Sequence, residues 1–186
     1  MALVNVRDDS SRAESGRPAS GEFAAYAQPD IDRVEGHDAV SVLTRLRDET
    51  VALFERFSEE ESNLTYAPGK WSLKQILGHL SDDERIFAYR ALCIARGDSS
   101  PLPGFDENAY MEASGFERRI LGDVIGEYRS VRDASITLFR GLDPEGWLRR
   151  GMVNGYQATP RGLAFHIAGH ELHHRRVVVE RYLPLR

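Results

Sequence analysis

The chain has 186 residues, enough for one domain with a substantial core, and its 41% hydrophobic and 28% charged residues describe an ordinary globular protein. A net charge of −5 offers no basic footprint for nucleic acid, and the single cysteine, Cys93, excludes an internal disulfide and any cysteine-rich metal site. No run of about 18 apolar residues marks a membrane span, and no secretory signal is visible at the start, so the cytoplasm is the expected compartment.

Residues 1–30 are rich in Ser, Gly, Ala, Asp and Arg and have no helical or strand period. They read as a tail, disordered or laid over the body, or as an arm packed on a partner subunit; residues 31–186 would then be the folded domain. Between His37 and Glu60, Val40, Leu43, Leu46, Val51, Phe54 and Phe57 fall mostly on i+3/i+4 steps, which predicts a first amphipathic helix. Pro68-Gly69 breaks the pattern. Ser72 then stands three residues before Gln75, a capping box that predicts a second helix to about Arg96, with Ile76, Leu77, Leu80, Ile86, Phe87, Leu92 and Cys93 inward.

A long connection follows, containing Pro101, Pro103, Phe105 and Tyr110, and connections of this length in compact domains tend to serve function. A third helix is predicted over Phe116–Arg140, with Ile120, Val124, Tyr128, Val131, Ile136 and Phe139 inward. Asp143-Pro144 begins a short helical turn, and the stretch from Met152 to Ala158 reads as irregular, able to bring Asn154 or Tyr156 to a site. Thr159 as N-cap and Pro160 at the first helical position open a fourth helix, extending to about Tyr182. Four long helices and almost no strand pattern predict an all-α four-helix bundle.

That last helix holds four of the six histidines, with His166, His170 and His174 at four-residue steps that stack them on one face. Three readings compete. The histidines are solvated or satisfied within the core; or His170-Glu171-x-x-His174 is the H-E-x-x-H of a zinc protease with Glu171 as base; or the third ligand comes from upstream. The protease reading lacks a downstream third ligand, since Glu180 is the only carboxylate after His174. In the upstream reading, His79 on the second helix meets His170 and His174 across the bundle, and Asp83, one turn on, orients a ligand, takes a coordination position, or is a cap or solvated charge; a closed four-ligand shell including Asp83 or His166 would mark a structural ion. Trp71 reads as a shelf for substrate or a plug at the helix entry, Arg90 as a guide for an anionic cosubstrate or a surface ion-pair partner, and Cys93 as core.

The run Pro68-Gly69-Lys70-Trp71-Ser72 leading to Gly78-His79-Leu80, with His170-x-x-x-His174-Arg175 far downstream, resembles the DinB/YfiT-like family over roughly residues 35–184. The resemblance implies a four-helix bundle with a divalent ion, zinc or nickel, held by His79, His170 and His174, with His166 a pocket-lining residue or an alternative member of the pair. It implies a homodimer and a small-molecule substrate, with activity either as a transferase using a low-molecular-weight thiol or as a metal-dependent hydrolase. The other class it leaves open is a non-catalytic stress-response or metal-binding dimer with a structural ion. Arg176-Val177 stands where the family usually carries Gly-Gln, a departure that bears on helix packing or dimer contacts rather than on the ligands.

Overall fold

In the computed structural model, which describes residues 14–185, a short helix α1 (Gln28–Arg33) precedes the long helices α2 (Ala39–Phe54) and α3 (Leu73–Ala95). Helix α4 (Glu107–Ser114) lies within the connection to α5 (Leu121–Arg140). Then α6 (Pro144–Leu148) and a hairpin of β1 (Gly151–Val153) and β2 (Tyr156–Ala158) lead to α7 (Pro160–Val177). The four long helices form the bundle, in the order the hydrophobic periodicity predicts. Among the described residues no helix is long and apolar enough to cross a membrane.

The helix ends follow local chemistry. At α3 the Gln75 amide donates to Ser72 Oγ at 3.3 Å and the Ser72 amide donates to Gln75 Oε1 at 2.8 Å, the expected capping box. The Gly162 amide donates to Thr159 Oγ1 at 3.1 Å at the start of α7, with Pro160 at the first position. The expected first and third helices are shorter than their apolar patterns: α2 closes at Phe54 and α5 opens at Leu121 after a separate turn at Phe116–Arg118.

The stretch expected to be irregular is instead a hairpin. Asn154 and Gly155 take φ of 48° and 81°, the left-handed pair of a tight hairpin turn, while Met152 pairs with Gln157. Leu102 joins this edge, its amide donating to the Met152 carbonyl and its carbonyl accepting from the Asn154 amide, both at 2.9 Å. The hairpin thereby holds the long α3–α5 connection over one side of the bundle.

Apolar side chains fill the bundle in two halves. One contains Leu43, Leu46, Phe87, Ile136, Phe139 and Phe165; the other contains Phe54, Leu73, Leu77, Val124 and Val178. Between the halves each long helix contributes a buried polar residue: Thr50, Glu84, Arg132 and Glu171. The bundle therefore has a polar layer at mid-height, the level at which both the charge network and the histidines sit.

The division expected at residue 30 falls inside α1, and residues 1–13 of the expected tail lie outside the described residues. From Ser15 onward this segment is a strap against α7, burying Phe23, Ala24, Ala27 and Ile31. Two glycines make room for it. A Cβ on Gly162 would stand 2.0 Å from the Glu22 carbonyl oxygen, and one on Gly169 would stand 2.1 Å from that of Asp30. Seven residues apart, they share one face of α7. Gly162→Ala or Gly169→Ala should each cost about 1–3 kcal/mol through overpacking against rigid backbone. In contrast, Gly122→Ala on α5, where a Cβ meets nothing within 4 Å, should be neutral or stabilising. Thermal unfolding of the three variants checks this; equal melting temperatures would refute the close packing of the strap.

Candidate metal centre

Three imidazoles converge at the polar layer. His170 Nε2 lies 3.2 Å from His79 Nε2 and 3.1 Å from His174 Nε2. One nitrogen from each ring falls in a group whose members are all within 4.8 Å of one another. Helix α3 supplies His79 from the middle of its buried face, and α7 supplies the other two from adjacent turns. Two imidazole nitrogens bound about 2.1 Å from one divalent ion, at tetrahedral or octahedral angles, stand about 3.0–3.4 Å apart. The two separations from His170 fall in that interval and the third pair lies within 4.8 Å, so the donor set is compatible with a single divalent ion.

Asp83 stands behind the three imidazoles rather than among their converging nitrogens. Its Oδ2 lies 3.3 Å from His170 Nδ1, an arrangement that fixes the Nδ1–H tautomer and leaves Nε2 toward the other two histidines. Burial opposes charge on Asp83, yet the charge and hydrogen bond of His170 bring its carboxyl down to about 2. Burial likewise opposes charge on His170, but Asp83 raises it. Burial, followed by the His170 charge, lowers His79 to about 4, and burial with the same neighbour lowers His174 well below its usual value. Among the described residues no fourth His, Cys, Asp or Glu joins the group. Trp71 walls it instead, its ring centroid 4.7 Å from that of His79 and 6.3 Å from that of His174.

Two cavities flank the histidines. The larger, about 530 Å³, reaches His170, Asp83, His166, Arg90, Phe105 and Asn154. The smaller, about 230 Å³, reaches His174 and Trp71 and is bordered by Asn108 and Tyr182. His166 is stacked on Phe87 at 4.2 Å and lines the larger cavity, outside the convergent group. Arg90 is not a surface ion-pair partner: it is buried, and its Nη2 donates to the Pro103 carbonyl at 2.7 Å. Phe105 lines the large cavity with its ring edge-on to Tyr110, which is itself exposed. Cys93 is a partly buried free cysteine packed against the core.

Glu171, expected as a general base, is not brought to the site. Its carboxylate points into the bundle, accepting from Tyr128 OH at 2.6 Å, from Thr50 Oγ1 and from Arg132. One residue past His170 is about 100° around a helix, and here that angle turns Glu171 from the cavity to the charge network. Two cavity residues escaped sequence reasoning, Tyr26 and Asp30, because they belong to the strap. The spacing of Gly162 and Gly169 was the available signal that something packs closely on α7.

The depressed histidines set a pH dependence. His79 and His166, both lowered to about 4 by burial first, take up protons near the ordinary 6.5 when unfolded but not when folded. Between those values the unfolded chain binds more protons, so stability falls as pH drops from about 6.5 to 4, by about 3 kcal/mol for each residue. His170 is raised and offsets part of this, since its contribution is present at low pH and lost as pH rises through its folded value. Urea unfolding of chelator-treated protein at pH 7 and pH 4.5 should show the loss; a flat or opposite trend refutes it.

The fold and the site together define a helical bundle with a three-histidine candidate metal centre at mid-height. The chain belongs to the DinB superfamily, whose family model matches residues 43–178. The structure of YfiT from Bacillus subtilis, described as a probable metal-dependent hydrolase with an unusual four-helix bundle topology, aligns with a TM-score of 0.71. That alignment covers 90% of this chain and 92% of the other at 15% identity, a likeness of fold. A search of curated proteins gives no match.

Proposed function

We propose that the protein is a divalent-metal-dependent enzyme acting on a small molecule, with zinc or nickel held by His79, His170 and His174. The observation that carries this reading is a three-nitrogen donor set with no fourth protein ligand among the described residues, set against a cavity of about 530 Å³. Three protein donors leaving coordination open are typical of catalytic ions, whereas a structural ion has a closed shell. Neither candidate fourth ligand closes this one: Asp83 is turned to His170 Nδ1 and His166 is stacked on Phe87. An ion held there would supply the acidification that makes a water or a thiol nucleophilic near neutral pH.

The chain's own contribution is orientation and exclusion of water. Asp83 holds the tautomer of His170, burial keeps His79 and His174 neutral with free lone pairs, and Trp71 covers two of the rings. Cavities on both sides of the histidines favour a reaction of two partners, a low-molecular-weight thiol transferred to an electrophile, with hydrolysis as the related activity when water takes the thiol's place. The test is a turnover screen of zinc- and nickel-loaded protein. It pairs a panel of small thiols with 1-chloro-2,4-dinitrobenzene, and uses p-nitrophenyl acetate for hydrolysis. Metal-dependent turnover that disappears in His79→Ala is expected. Fully loaded protein inert in every assay supports the structural-ion reading instead.

A further inference from the structure

The bundle buries two arginines in very different ways. Arg132 is 1% exposed and lies between two carboxylates, Glu84 and Glu171. Arg90 is 4% exposed and has no carboxylate within ion-pair distance among the described residues. Among the described residues its guanidinium makes one hydrogen bond, from Nη2 to the Pro103 carbonyl, and lies over two ring faces, Phe87 at 4.8 Å and Phe105 at 5.7 Å from the guanidinium carbon. A buried guanidinium without a counter-ion is costly, and it lines the cavity that also reaches His170.

The acids around that cavity do not fill the role. Asp83 is held by His170, Asp30 by Arg33, and Asp106 caps α4 by accepting from the Asn108 and Ala109 amides. Glu107 is exposed at the rim, where water screens it. Arg90 is thus the cavity's uncommitted buried charge. With aromatic rings beside its faces and one nitrogen tied to Pro103, its remaining N–H groups lie along the edge of a pre-oriented plane. A planar fork of donors matches a carboxylate through two parallel hydrogen bonds. A doubly charged phosphate would be disfavoured by the neighbouring acids; a singly charged, planar carboxylate suits both the fork and the surroundings.

We propose that Arg90 forms a carboxylate-recognising subsite in the cavity beside the three histidines, so that the small molecule handled there carries a carboxylate. This rests on the metal-enzyme reading for its consequence in catalysis, but the subsite itself is testable without the metal. Calorimetric titration of zinc-loaded protein with benzoate against benzamide, and hexanoate against hexanamide, reads the preference. The acids should bind at least about tenfold more tightly than their amides. Arg90→Met should erase that preference, and Arg90→Lys, which keeps the charge without the fork, should retain only part of it. Zinc content unchanged in both variants shows that the neighbouring site is folded; should Arg90→Met fail to fold, Arg90→Lys carries the comparison.

His79→Ala separates the two ideas. If this variant loses zinc yet keeps the acid preference, the subsite is independent of the ion. The same titration of metal-free wild-type protein reads the subsite even if the metal reading fails. The proposal is overturned if acids and amides bind alike or not at all. It is also overturned if the preference survives Arg90→Met, or follows the zinc rather than Arg90.

Discussion

His170→Ala should leave the protein unable to retain a divalent ion. The central position of this residue is the reason: its Nε2 lies 3.2 Å from one partner nitrogen and 3.1 Å from the other, so its removal leaves two donors without a common neighbour. The loss should exceed the roughly 10–100-fold in affinity that removal of a supporting contact costs. That smaller loss is the one expected of Asp83→Asn, which weakens the hold on His170 Nδ1 and leaves all three nitrogens in place. His166→Ala should retain the ion, because that ring belongs to the cavity wall. Metal analysis after dialysis, with wild type and His79→Ala alongside, gives the order. Full retention in His170→Ala, or loss in His166→Ala, would assign the ligands to a different pair on α7.

Arg132→Leu should be the most destabilising single change in the polar layer. Arg132 Nε donates to both oxygens of Glu84 at 2.8 and 3.0 Å, Nη2 donates to Glu171, and Nη1 donates to the Leu43 carbonyl at 3.2 Å. Taking away the guanidinium leaves two buried carboxylates facing each other. Burial already raises Glu84 above its usual value despite the arginine, and Glu171 adds to the rise. Breaking a buried pair of this kind costs about 3–5 kcal/mol, a large share of the roughly 5–15 kcal/mol that holds a domain folded. Glu171→Gln keeps the shape and the hydrogen bonds from Thr50 and Tyr128, so its cost should be nearer 1–3 kcal/mol. Turnover per metal-loaded molecule should change little in Glu171→Gln, since the carboxylate faces away from the cavity. Urea midpoints measure the stabilities. A Glu171→Gln protein that is stable and metal-loaded yet inactive would restore that residue to the chemistry.

The parts legible in the sequence are those governed by neighbours along the chain. Ser72 with Gln75 and Thr159 with Pro160 name two helix starts because capping is local. The four long amphipathic stretches name the bundle because a period of 3.6 is a property of each segment alone. His79 meeting His170 and His174 was legible in part, through helices whose inward faces could be assigned before their packing was known. The strap was not, since residues 14–33 show no period of their own and become buried only where Gly162 and Gly169 admit a second backbone. The hairpin was missed although Asn154-Gly155 is a strong turn signal, because strands of three residues leave almost no alternation to detect. Glu171 was misplaced and Arg90 was left between two readings for one reason: the type of a charged residue does not say whether its helix turns it to water, a cavity or a counter-ion.

Helix α7 carries three demands on three sides. Gly162 and Gly169 face the strap, His170 and His174 face His79, and Glu171 faces Arg132. By helical geometry these directions are separated by about a quarter-turn each, and one inserted or deleted residue rotates everything beyond it by about 100°. Such a change between positions 162 and 170 would bring a side chain against the strap, the wrong atoms toward His79 and an unpaired acid into the core. The connection before α5, tied down at Leu102 and exposed along much of α4, carries no such phase relation. Length variation among related chains should therefore accumulate in that connection, while α7 changes in composition and keeps its length.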